Sequence, residues 1–359
     1  MFLTNHPATN HTQTVTNHLY QVMRKLILSL TILFFHVSFF AQNSIEEYVK
    51  EGIQYHDNGD YNKAISTYKT ALELYPESTL LHYEISLSYF TKADYKEAIK
   101  HADIILKQKE NHLIQAYLTK GSALDMLGKT KESIKLFQKA LKGKDKHYLL
   151  YYNLGLNYYK INKLNEAEEN VIKAIEQNSN HPSSHLMLAN IHNRKGNVVQ
   201  TLLAAHYFLF LEADSKRSSE AYQLLQDNFG GNVSKDKNKP NTINIVLSAN
   251  NDSQFGAAEL MIGMLEASKS IEENEGKTED EMFIENTDSF FTILGELKKK
   301  KNREIWWTFY TTFFYDLAKS EHMEAYCKYV TQSGNENSKK WLMVNEKKLT
   351  DFGDWLKNK

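Results

Sequence analysis

The chain has 359 residues, of which 42% are hydrophobic, 12% aromatic and 24% charged, with a formal net charge of −1. That composition can build real cores and excludes an intrinsically disordered chain, while the neutral balance lacks the basic excess of a typical nucleic-acid binder. Cys327 is the sole cysteine, so no intramolecular disulfide is possible and packing alone must hold a fold of two or three domains.

Residues 1–22 are rich in Asn, Thr and His and show no periodicity. They read as an upstream over-extension with Met23 as the start, so His6, His11 and His18 carry no weight as ligands. From Met23 the chain runs MRKLILSLTILFFHVSFFAQ, with Arg24 and Lys25 ahead of the apolar run Leu26–Phe40 and Ala41 before Gln42. This is the layout of a secretory signal peptide over 23–41. An uncleaved anchor and a buried helix remain as alternatives, although the run is short of the roughly 20 residues a span needs. No cysteine closes the run, which excludes a lipoprotein anchor. The expectation is an exported bacterial protein, periplasmic or secreted, with no stable membrane span once the signal is removed.

The next stretch carries a repeated pattern. In GDYNKAISTYKTALELYP, Ala64, Tyr68 and Ala71 are spaced i, i+4, i+7 and share one helix face, before Pro76. Two alanines on that face allow close approach of a neighbour. Small residues recur at Gly52, Ser86, Gly121, Gly155 and Ala189, in steps of 34, 35, 34 and 34. A larger residue follows three positions later at Tyr55, Tyr89, Leu124, Tyr158 and His192. Further in-phase positions are Ala64, Ala98, Ser133, Ala167 and Thr201, then Ala71, Ile105, Ala140, Ala174 and Phe208. Gly59, Gly128, Asn162 and Gly196 stand between the two halves of their units, as suits a left-handed helix end, with Ala93 the exception.

This phase resembles the tetratricopeptide repeat (TPR), two antiparallel helices per 34 residues, and YYNLGLNYYKINKLNEAEENVIKAIEQNS at 151–179 is the best match to its pattern. The units fall at 45–78, 79–112, 114–147, 148–181 and 182–215. Unit five is the most degenerate, which terminal units often are because one side lacks a neighbour. The resemblance implies an all-α chain: a right-handed superhelix of about five helix-turn-helix units, a capping helix at 218–229, and a small, mainly helical carboxy-terminal domain. It also implies that positions 5, 9 and 12 of helix A point into a concave groove that binds a protein or peptide. These are Tyr83, Leu87 and Phe90 in unit two, and Tyr152, Leu156 and Tyr159 in unit four. Family members that grip a carboxy-terminal carboxylate use Lys and Asn at positions 5 and 9 of the first unit. Here Val49 and Ile53 stand there, which argues against that mode.

Beyond the array, VSKDKNKPNT lies in a polar stretch, 232–242, that reads as a linker. Residues 243–359 then form a separate domain, with a β-leaning INIVL, an acidic loop at 272–281, and helices near 255–270, 284–300, 303–319, 321–332 and 345–357. Trp306, Phe309, Tyr310, Phe313, Phe314 and Leu317 follow a helical apolar stripe that suits a core helix, a ligand or lipid groove being the alternative. The run Lys298–Lys301 reads as a solvated helix end, or else as a phosphate or lipid-headgroup contact. Cys327 reads as a buried small hydrophobe.

No phosphate-binding glycine loop, nucleophile elbow, HExxH or cysteine pair is present. His185 and His192 share a helix face but occupy the repeat's large packing positions, which outweighs a metal site with His181. Glu168 and Glu169 read as solvated charge. The expectation is therefore a non-catalytic interaction scaffold with no cofactor, metal or nucleic acid. The alternative is a hydrolase-type or other enzyme, or a small-ligand site, within 243–359.

Overall fold

The computed structural model describes residues 45–109, 111–143, 146–230, 233–236, 239–245, 254–268 and 276–359. The over-extension, the signal peptide and residues 272–275 of the acidic loop lie outside the described residues. The chain divides into two compact bodies between Leu127 and Gly128, a boundary that falls inside the repeat unit read at 114–147.

The amino-terminal body comprises α1 (45–57), α2 (Tyr61–Leu74), α3 (Thr79–Thr91), α4 (Tyr95–Gln108) and α5 (Leu113–Met126). α3 and α4 begin where a side chain satisfies one of their first N–H groups: Ser78 Oγ accepts from Leu81 N at 3.3 Å, and Asp94 Oδ1 from Glu97 N at 3.4 Å. The chain turns at left-handed residues, Gly59 with φ +82° and Ala93 with φ +66°. The inner face of α2 buries Ala64, Ile65, Tyr68 and Ala71 against Leu81, Ile85 and Tyr89 of α3. A methyl group at Gly52 would collide with the Tyr68 ring, so α1 and α2 approach this closely only because Gly52 has none.

The carboxy-terminal body opens with α6 (Thr130–Ala140), α7 (Tyr148–Lys160), α8 (Leu164–Gln177), α9 (Pro182–Lys195), α10 (Val198–Leu211) and α11 (Lys216–Gly230). At Gly155 of α7 an added Cβ would lie 2.7 Å from Val171 Cγ2 and 3.2 Å from the Ala167 carbonyl of α8. The strands β1 (Val233–Asp236) and β2 (Lys239–Ile245) follow. Then come α12 (Gly256–Ser268), α13 (Glu279–Leu297), a π-helical turn (Trp306–Tyr310), α14 (Thr311–Ala318), α15 (Met323–Thr331), α16 (Glu336–Val344) and α17 (Glu346–Lys357).

One hydrophobic core runs from Ala167 and Val171 of α8 through α9, α10 and α11 to Phe352 of α17. The region read as a separate domain thus shares its core with the last repeats. α10 is the centre of this arrangement, with twelve of its fourteen residues buried. Thr201 and Phe208, which depart from the repeat pattern, do so in a helix packed on every side rather than in one left bare at an open end.

The stretch read as a linker is an antiparallel hairpin with Val233 opposite Ile245 and Lys235 opposite Ile243. An isolated hairpin is marginal in water. This one rests on α12, where Gly263 leaves room for the Ile245 side chain. α13 starts five residues ahead of the sequence expectation because Thr278 and Glu281 form a reciprocal capping box. The unanticipated α16 starts at Asn335, whose Oδ1 accepts from Asn337 N and Ser338 N at 2.9 and 3.2 Å. The π turn places Thr311 N on Trp306 O, and the Thr312 hydroxyl donates to Trp307 O at 3.0 Å. Trp307 is buried here along with the stripe residues Trp306, Tyr310, Phe314 and Leu317, stacked on Phe255 with ring centroids 4.7 Å apart, while Phe309 and Phe313 are half-buried.

Candidate protein-binding groove

The residues expected to line a groove form two sets, one in each body. In the amino-terminal body Tyr83, Leu87 and Phe90 on α3 are all half-buried. Tyr83 stacks on His112, the residue ahead of α5, with centroids 5.8 Å apart and planes 11° apart. Phe90 meets Tyr95 at 5.5 Å. Val49 and Ile53 of α1, together with Ile45 and Leu80, line a cavity of about 320 Å³ whose walls are apolar. Ile53 is 39% exposed there, an apolar surface at position 9 of its unit, the position Leu87 and Leu156 hold in theirs.

In the carboxy-terminal body Tyr152, Leu156 and Tyr159 on α7 are half-buried at the margin of the large core. Tyr152 meets the edge of His181 at 4.9 Å. The Arg194 guanidinium lies 4.6 Å from the Tyr159 ring centroid and donates to Asn162 Oδ1 at 2.7 Å. Each of these tyrosines therefore has an intramolecular partner on α9 or its cap.

One feature of these surfaces escaped the sequence reading. His112, His147 and His181 stand at the last position of units two, three and four, in steps of 35 and 34. Each precedes a helix A, and the first and last lie against position 5 of their own unit, Tyr83 and Tyr152. Their common spacing was the available signal.

The packing positions Ala64, Ala71, Ser86, Tyr89, Ala98, Ala140, Ala167, Ala174 and Ala189 are buried, as are Gly52, Gly121 and Gly155, whereas Tyr55 and Tyr158 are half-buried. Ser86 is more than a spacer: its hydroxyl donates across the pair to the Ala98 carbonyl at 2.9 Å. Asn157 of α7 donates to Ser133 Oγ of α6 at 2.6 Å.

His185, His192, His206, Glu168 and Cys327 serve packing and internal pairing. His185 Nε2 donates to the Ser179 carbonyl at 2.9 Å, which leaves Nδ1 to accept from the Tyr310 hydroxyl at 2.6 Å. Burial pushes His185 down to about 4. His206 of α10, ringed by Phe229, Phe283, Phe291 and Phe314, meets the Tyr326 hydroxyl at 3.0 Å, and burial takes it to about 3. His192 Nε2 lies 3.2 Å from Glu168 Oε1, and Lys195 holds the other carboxylate oxygen. Burial raises the Glu168 pKa, but these two partners outweigh it and hold the carboxyl at about 2. Glu168 is thus a paired, mostly buried group and not the solvated charge its sequence position suggested. Burial raises the Cys327 thiol far above its ordinary range, which leaves it inert. Among the described residues no group of three or more His, Cys, Asp or Glu side chains is placed to hold a metal ion, and no helix is long and apolar enough to cross a membrane.

Antiparallel helix pairs repeating at 34–35 residues, with small side chains at their contacts, define a helical-repeat protein. Tetratricopeptide repeat family models match residues 49–112, 114–144 and 148–181. The chain is a tetratricopeptide repeat protein. Similar solved structures include a thermophilic TPR protein of Thermus thermophilus, at 15% identity over 51% of this chain and 100% of that one, with a TM-score of 0.45. Others are pilF of Pseudomonas aeruginosa, at 20% over 52% and 88% with 0.46, and MamA of Desulfovibrio magneticus, at 21% over 47% and 93% with 0.38. No curated protein matches the chain.

Proposed function

We propose that this protein is a non-catalytic scaffold that acts outside the cytoplasm and holds an apolar segment of a protein or peptide partner on its helix-A surfaces. The observation that carries this reading is the apolar cavity of about 320 Å³ between Ile45, Val49, Ile53 and Leu80, the last of which shares a face of α3 with the half-buried Tyr83 and Leu87 at i, i+3 and i+7. A cavity of that size accepts one or two large side chains of a ligand, with Glu46 and Lys50 at its rim. The non-catalytic part is supported by the use of His185, His192, His206 and Cys327 in packing.

A photo-crosslinking side chain at Ile53 is expected to capture a defined partner in its native compartment, whereas the same side chain at exposed Thr70 of α2 is not. Ile53→Glu should abolish capture with an unchanged melting curve. Equal capture from both positions would refute the groove. Tyr83→Ala with Tyr152→Ala is a less clean test, because each ring packs on a histidine. The extracytoplasmic part rests on the segment from Met23, and mass spectrometry of natively produced protein is expected to find a first residue near Gln42. Intact residues 23–41 on a cytoplasmic protein would refute it.

A further inference from the structure

The cationic stretch after α13 borders a second cleft, which the groove reading leaves unused. Lys298 closes α13 and donates to the Thr312 hydroxyl at 2.6 Å. The next cations, Lys299, Lys301 and Arg303, turn into a cleft of about 510 Å³. Its apolar lining is Leu297, Ala257 and Trp307. Glu304 is the one acid on the wall, and it accepts from Gln254 Nε2 at 3.1 Å. Among the described residues no ion pair engages Lys299, Lys301 or Arg303, so the lining carries a net excess of two positive charges.

We propose that this cleft binds a phosphoryl group carried on a partly apolar molecule. The backbone that bears the cations is fixed in advance. Lys299 N donates to Asn302 Oδ1 at 2.9 Å, and Asn302 Nδ2 donates to Gln254 Oε1 at 3.0 Å. The same Gln254 oxygen accepts from the indole Nε1 of Trp307 at 3.0 Å, so the loop is tied to the buried Trp307–Phe255 stack. A ligand anion thus meets donors carried on a fixed backbone and does not have to order a floppy loop. Two ammonium groups and a guanidinium around one site outnumber the single charge of a carboxylate and suit a phosphate, which the guanidinium grips with paired N–H bonds. The volume exceeds what a bare phosphate fills, and the Leu297–Trp307 wall takes an attached apolar portion.

The test uses the full chain, pyrophosphate as a soluble probe, and vesicles of phosphatidylglycerol in phosphatidylcholine. Calorimetry is expected to show saturable pyrophosphate binding that weakens at least about tenfold in the Lys299→Gln, Lys301→Gln, Arg303→Gln variant. A control with the same charge loss on α6, Lys131→Gln with Lys135→Gln and Lys139→Gln, is expected to change it less than about twofold. Vesicle binding that pyrophosphate displaces assigns the phosphoryl group to a lipid headgroup. Pyrophosphate binding without vesicle binding assigns it to a soluble phosphate ester. Equal losses in the two variants with matching melting curves, or no saturable binding by the parent chain, would overturn the proposal.

Discussion

Ala93 holds a backbone conformation that the turns between the two helices of the other repeat units give to glycine or asparagine. Its φ of +66° matches Gly59, Asn162 and Gly196, at +82°, +60° and +73°. A Cβ in that region costs about 1–2 kcal/mol, and glycine returns part of this through its own unfolded-state entropy. Ala93→Gly is therefore expected to stabilise the amino-terminal body by about 0.5–1 kcal/mol, read as a higher urea midpoint with an unchanged slope. A fall in the midpoint would show that the alanine methyl contributes packing the geometry does not reveal. The exception was visible in the sequence because the repeat phase named the position where a left-handed residue had to stand.

At the level of helices, buried neutral histidines link stability to pH. His101 of α4 faces His82 of α3 with Nδ1 atoms 2.9 Å apart, a contact that needs one ring to donate and the other to accept. Burial, with His82 adding to it, takes His101 down to about 4, and burial alone takes His206 of α10 to about 3. The unfolded chain then binds more protons than the folded one below about pH 6.5, so stability is full above that value and falls as pH drops toward 4. Each such histidine steepens the fall by up to about 1.4 kcal/mol per pH unit. Urea midpoints at pH 7.5, 6 and 5 are expected to decline, less steeply in His206→Phe, and a flat profile would refute the linkage. Helix pairing was legible because 34-residue spacing of small residues is a strong, redundant signal. Three elements were not. The hairpin pairs a short charged strand with INI, and its stability comes from α12 rather than from its own residues. α16 announces itself only by the cap at Asn335. The π turn changes the helical phase, so a regular wheel left Trp307 beside the stripe. For the groove, the trios were placed by repeat arithmetic, but their histidine partners depend on contacts across unit ends.

For the molecule as a whole, the shared core of the carboxy-terminal body decides which pieces can stand alone. Phe291, Phe314 and Tyr326 close the aromatic shell around His206 on α10. A chain ending after Ile245 would uncover the apolar side of that helix that packs on α12, the π-helical turn and α15, while α9 and α11 still cover the rest. It is expected to aggregate and to lose near-ultraviolet ellipticity, whereas independent domains would leave residues 128–230 folded and monomeric. The enclosure of α10 also bears on how such an array can change length. Stacked repeats grow by copying one unit, and each copy needs an open helix face to receive it. α10 has no face left to offer, so a pair spliced in after Leu211 would have to evict the carboxy-terminal helices. An engineered extension with consensus pairs is therefore expected to fail after α10 and has to enter ahead of it.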